Sequence, residues 1–153
     1  MSSFELDIKP LVNKFKELDG KERIKAQKTA SGKALKVVKD ATIQQMQASG
    51  IPLDKPNKKY KDLTPRKGVK MIVYKDGSGG SVNIMSNYVL RFLEGGTVER
   101  TTKRTTKKDE PWTTGHIDPR NFFLRARQSS ESAAINILNT ELEKAIQDIW
   151  NKR

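Results

Sequence analysis

Few side chains in this sequence are of kinds that do covalent or acid–base chemistry. The single histidine, His116, stands in TTGHIDPR with Asp118 two residues on. A carboxylate can orient an imidazole for proton transfer, but such a pair needs a nucleophile or a metal beside it, and the neighbouring sequence signals neither. His116 therefore reads as a polar loop residue that closes a turn. Glu94 ends an apolar run in FLEGGT and has Asp109, Glu110 and Asp118 as prospective partners for a two-carboxylate site. No D-x-D, E-x-K or H-x-x-E spacing selects one of them. The glycines of GSGG at 77–80 form neither GxGxxG nor GxxxxGK[ST], and they lie between strand-like runs, so no phosphate cradle is expected. Cysteine is absent, which removes disulfides, thiolate catalysis and zinc–thiolate sites together. The expectation is a protein that is not an enzyme, with no catalytic residue, no metal site and no cofactor.

The charge pattern is more informative. The formal net charge is +12 over 153 residues, and residues 21–75 hold fifteen basic against four acidic side chains. A charge concentrated in one third of the chain predicts a basic face suited to polyanions or to an acidic protein surface. At about 100° per residue, Lys21, Lys25, Lys28, Lys36 and Lys39 fall together on one side of a helix. Ile24, Ala26, Ala30, Ala34, Leu35, Val37, Val38 and Ala41 take the opposite arc. Gly32, Ile43 and Met46 land on the lysine side, so the end of that helix needs a cover. The stripe reads either as a solvated face or as a phosphate-facing surface whose binding weakens with salt. No RNP, zinc-finger or KH pattern accompanies it, so any nucleic-acid contact would be to the backbone.

Around these residues the elements fall into order. Ile8, Leu11, Val12, Phe15 and Leu18 repeat with helical spacing and predict a first helix over about 4–18, ended by Gly20. The lysine-striped helix follows over about 21–48 and stops at SGIP. Residues 50–67 hold three prolines and six basic side chains without a period, which predicts a mobile loop. VKMIVY and SVNIMS around DGSGG predict a β-hairpin. YVLRFLE at 88–94 is too short for periodicity to choose between strand and helical turn. Residues 98–114 are rich in threonine and charge and predict a second mobile loop. The last segment, about 129–150, repeats Ala134, Leu138, Leu142, Ala145 and Ile149 as a helix, with Ser129 or Ser130 as its N-cap. The fold expected is a single α+β domain over 1–153: two N-terminal helices, a small antiparallel sheet with a long loop, and a C-terminal helix packed on the sheet. No run approaches the roughly 20 apolar residues of a membrane helix, and MSSFELDIKP lacks the pattern of a secretory signal, so a soluble, unexported chain is expected.

The order of these pieces resembles the tail-completion, or head–tail joining, proteins of long-tailed double-stranded DNA bacteriophages. In that family an apolar run ending in Glu-[Phe/Gly]-Gly-Thr precedes a loop and a Pro-x-x-Phe-[Phe/Leu]-x-x-Ala segment that begins the last helix. Here those residues are Phe92, Leu93, Glu94, Gly95, Gly96 and Thr97, then Pro119, Phe122, Phe123, Leu124 and Ala126. The position of Gly95 is commonly aromatic in the family. The resemblance implies a structural subunit that joins copies of itself in a ring, expected to be six-fold, at the head-proximal end of the tail. It implies phage tail-tube or neck proteins as partners, with no membrane and no small-molecule substrate. The location implied is the bacterial host's cytoplasm during assembly and then the tail or neck of the virion, for a phage or prophage product. On this view Phe92–Thr97 is a strand-end corner that both glycines permit, and Pro119–Ala126 anchors the last helix on the sheet. Glu94 becomes a structural carboxylate that bonds backbone amides at the turn. Because the genome passes through such a ring, the five lysines would face DNA or an acidic partner ring. The alternative is a small basic nucleic-acid-binding protein that makes phosphate contacts alone.

Overall fold

The computed structural model describes residues 3–7, 20–56, 63–101, 113 and 115–151. Its elements are β1 (Ser3–Asp7), α1 (Gly20–Ala48), α2 (Pro65–Gly68), β2 (Lys70–Val73), β3 (Gly79–Asn83), α3 (Tyr88–Gly95) and α4 (Phe122–Trp150). The class is α+β. Two readings at the N-terminus change. Residues 4–7, expected to open a helix, lie in a strand paired with β3, and Gly20 begins α1 rather than ending a helix before it. Positions 8–19 lie outside the described residues.

The sheet is antiparallel, in the order β1-β3-β2. Val82 stands opposite both Phe4 and Met71, and Gly80 opposite both Leu6 and Val73. The hairpin forms where DGSGG predicted it. Gly77 takes φ 77°, and the Asp76 carboxylate accepts from the Ser78 amide at 3.0 Å and its hydroxyl at 2.8 Å. Those two bonds, the amide's first, hold the Asp76 carboxyl below its ordinary range. Gly80 sits so close to Leu35 and to the Ile72 carbonyl that a methyl group there would collide with both, which seats the hairpin on α1.

α1 is the central element. Gln27, Ala30, Ser31, Ala34, Leu35, Val38, Thr42 and Met46 are buried at helical spacing. One flank meets β2 and β3, and another meets α4. This corrects the expected packing: α4 lies along α1, not on the sheet. Small residues allow the approach, since Ala30, Ala34 and Ala134 are all at or below 1% exposure. The two helices run antiparallel, with Arg125 beside Gln45 at one end and Glu141 beside Lys33 toward the other.

The end of α1 closes as Met46 and Ile43 required. Gly50, at φ 70°, donates to the Gln47 carbonyl at 2.9 Å, and Ile51 donates to the Met46 carbonyl at 3.0 Å. This paired-bond cap folds Ile51 back over Met46, and both are buried. The expected loop over 50–67 is only partly loop. Thr64 caps the short helix α2, and Arg66 forks onto Asp54 at 2.8 and 3.1 Å; positions 57–62 lie outside the described residues. No described helix is long and apolar enough to cross a membrane.

Candidate functional site: the clasp between two helix ends

YVLRFLEG folds as helix α3, which settles the choice periodicity left open. Asn87 caps it, its side chain accepting from the Val89 amide at 3.0 Å. Leu90 is fully buried, while Tyr88 and Phe92, one turn apart, stack edge to face on the outside at 6.1 Å. The FLEGGT corner is therefore the end of a helix and not of a strand.

A helix end leaves carbonyls without partners, and a helix start leaves amides without partners. In this protein the two supply each other. The Leu93 and Glu94 carbonyls of α3 accept from the Arg120 amide at 2.8 Å and the Asn121 amide at 3.2 Å. In return the Glu94 carboxylate accepts from the first turn of α4, from the Phe123 amide at 2.8 Å and the Leu124 amide at 3.0 Å. A carboxylate is unfavourable at the C-terminus of its own helix and favourable at the N-terminus of another, so α4 compensates what α3 alone would oppose. Glu94 is buried, and so are Phe122, Phe123 and Ala126; Leu124 faces out at 45% exposure.

The local residues explain why the cap comes from afar. Asn121 is the residue before α4, but it sits in the left-handed region at φ 46°, ψ 32° and makes no side-chain cap bond. Residues 129 and 130, expected to open this helix, lie inside it, and both hydroxyls donate back to the Ala126 carbonyl. The helix begins seven residues before the expected start because its cap is Glu94, 29 positions upstream of Phe123.

Of the two glycines only one is required by its backbone. Gly96 adopts φ 70°, ψ −177°, a region nearly closed to other residues, and a methyl group there would stand 2.7 Å from the Ile117 carbonyl. Gly95 ends α3 with open space around it. Thr97 completes the clasp: its amide donates to the Ile117 carbonyl at 2.9 Å, and its hydroxyl accepts from the Ile117 amide at 3.0 Å. A further antiparallel bridge joins Thr101 to Thr113, while 102–112 and 114, most of the second expected loop, lie outside the described residues. Arg120 and Arg125 tie the start of α4 to the end of α1 through the Ser49 carbonyl at 2.6 Å and the Ser49 hydroxyl at 2.8 Å.

The residues weighed for chemistry are not drawn into one site. His116 Nε2 lies 3.2 Å from Asp118 Oδ1 with both side chains open to solvent. The cleft beside His116 is lined by Phe92, Thr97, Arg100, Gly115 and Ile117. Among the described residues no three His, Asp or Glu side chains gather closely enough to hold a metal ion.

The lysine stripe divides. Lys21, Lys25 and Lys28 share a shallow surface with Ile24 and Thr29. Lys39 is half-buried in another cleft, beside Lys67 and Lys70. The reason is that the sheet packs close to the lysine side of α1, where a methyl group added at Gly32 would just meet the Val73 side chain of β2 at 3.8 Å. The stripe thus borders the sheet instead of forming one free face. No protein-family model, curated protein or solved structure matches the chain.

Proposed function

We propose that the protein is a structural assembly subunit of the phage tail-completion or head–tail joining kind, forming a ring with copies of itself and working without catalysis. The observation that carries the reading is the clasp. The two short segments on which the resemblance rests, Phe92–Thr97 and Pro119–Ala126, lie far apart in sequence and meet through Glu94 and the Leu93 carbonyl. A motif pair of this kind fits a fold better than a reaction, because the Glu94 carboxylate and the Thr97 hydroxyl are both used on backbone amides. The clasp also presents Tyr88, Phe92, Ile117 and Leu124 at 36–45% exposure, apolar area of the sort that subunits cover on association.

A second reading, a binding module for nucleic-acid backbone, is favoured by Lys21, Lys25 and Lys28 on one shallow surface. Light scattering after size exclusion, at low and high salt with and without double-stranded DNA, separates the two. The assembly reading expects a protein-only oligomer, strengthened at high concentration and indifferent to DNA, with ring particles by electron microscopy. Stoichiometric DNA binding that collapses with salt, and no self-association at any concentration, would replace it with the second.

A further inference from the structure

β2 is an edge strand. Among the described residues it pairs only with β3, through Lys70–Asn83, Met71–Val82, Ile72–Ser81 and Val73–Gly80. Tyr74 donates to the directly opposite Gly79 carbonyl at 2.9 Å, which marks that pair as hydrogen-bonded. Antiparallel ladders alternate, so Ile72 and Lys70 also bond toward β3, while Met71 and Val73 aim their N–H and C=O groups away from it. That edge is not apolar-poor: Met71, Ile72 and Tyr74 are 37%, 50% and 37% exposed.

Beside the edge lies a cleft of about 560 Å³, walled by Ile43, Val69 and Met71 and lined by Lys39, Lys67 and Lys70 from three different elements. Arg66 shares the cleft but is occupied by Asp54, and among the described residues Asp40 is the one carboxylate lining it. A single edge lysine commonly guards a strand against unwanted pairing. Three lysines from three elements lining one cleft, beside exposed apolar side chains and outward backbone groups with no strand partner among the described residues, do something else. They make a surface complementary to an extended chain whose side chains alternate between acidic and apolar.

We propose that the free edge of β2 docks an extended, acidic segment of a partner protein, which adds to the sheet as a further strand. Main-chain bonds to Met71 and Val73 supply the affinity common to strand addition, and the lysine cleft selects acidic side chains. The apolar walls favour a peptide over a nucleic-acid backbone, which would offer charge but nothing to cover Met71 and Ile72. The inference stands apart from the assembly reading, since it needs no ring.

The probe is a fluorescein-labelled peptide of about ten residues alternating glutamate and valine, titrated into the full chain by anisotropy. Controls are the lysine–valine peptide of equal length and a DNA duplex of about 20 base pairs. Saturable binding of the acidic peptide alone is expected, together with slowed amide exchange at Met71 and Val73 in the unsubstituted protein. M71P removes an outward N–H and spares the ladder to β3, and K67E/K70E reverses the cleft; each is expected to weaken binding about tenfold or more. Failure of the acidic peptide to bind, equal binding of the lysine peptide, or unchanged exchange at Met71 and Val73 would overturn the proposal. So would duplex DNA that displaces the peptide as well from M71P as from the parent. If M71P does not fold, the exchange measurement and K67E/K70E still decide.

Discussion

At its N-terminus α4 is held by a buried carboxylate and two buried phenylalanines, whereas its C-terminal half, though Leu138 and Leu142 are buried, meets α1 along one flank across an open cleft. That cleft, about 460 Å³, is lined by Lys25, Ala26, Thr29, Ala145 and Ile149, and the Lys33–Glu141 ion pair crosses it with the lysine side chain 54% exposed. Both ends use a glutamate, yet the two are not equivalent. Glu94, itself buried, accepts from two helix-start amides, that of Phe123 in a buried bond and that of Leu124 in a part-buried one, so removing it strands them. Lys33 is half exposed and Glu141 keeps 20% of its side chain open beside the cleft, so both retain access to water and their pairing adds less. Burial of the partner, rather than the presence of a charge, decides which contact holds the helix.

The largest effect should come from Glu94→Ala. Loss of two charge-assisted bonds and exposure of the first turn of α4 are expected to lower the unfolding free energy by about 2–4 kcal/mol. Glu94→Gln keeps an acceptor for one amide and should cost about half as much. Urea unfolding of the three proteins checks this. A Glu94→Ala variant within about 0.5 kcal/mol of the parent would break the comparison at its strong end.

Gly96→Ala ranks next, because it puts a side chain into a glycine-only conformation against the Ile117 carbonyl and Pro119; about 2–3 kcal/mol is expected. Gly95→Ala, one residue earlier, meets nothing and should leave stability unchanged or slightly raised. Thermal melts of this adjacent pair sharpen the point: equal losses would mean that the corner tolerates neither residue for reasons other than φ. A smaller effect is expected at Asn121, where φ 46° favours glycine; Asn121→Gly should match the parent, and Asn121→Ala should cost about 1 kcal/mol.

These residues also mark how far the sequence was legible. Periodicity placed α1 and the hairpin because their signals are local: a buried face at 3.6-residue spacing, and DGSGG between alternating runs. The start of α4 was not legible, because its cap is a side chain 29 positions upstream and the residue that should cap it, Asn121, spends its conformation on the left-handed bend. Ser129 and Ser130 looked like a start only because a serine before an apolar repeat usually is one. Packing of α4 on α1 was likewise hidden, since an apolar face does not name its partner; only the alanines on both helices hinted that a helix could approach so closely. The candidate site fared unevenly. Glu94 was placed correctly as a carboxylate on backbone amides, but the amides belong to α4 and not to the turn. The role shared between two glycines falls to Gly96 alone. Lys67 and Lys70 were missed beside Lys39 because three lysines from three elements carry no spacing that a helical wheel can display.

The smallest effect expected is that of Lys33→Ala, and its pH dependence gives it a signature. The hydrogen bond from Lys33, and secondarily the Lys33 and Lys144 charges, hold the Glu141 carboxyl below its ordinary value of 4.5. A carboxyl depressed in the folded state contributes stability that is present above its unfolded pKa and is lost as pH falls through the folded one. Lys33→Ala should therefore shift the melting midpoint far less than Gly96→Ala at neutral pH, and the difference from the parent should close as the solution is acidified below about 4.5. Raising the salt concentration should narrow it as well, because the half-exposed Lys33 end of the pair is open to screening. Neither treatment would close the Gly96→Ala difference, which rests on backbone conformation and steric contact and on no titrating group. A Lys33 effect as large as that of Gly96, or one insensitive to acid and salt, would show that the cleft end of α4 is held as firmly as the clasped end and would remove the contrast between them.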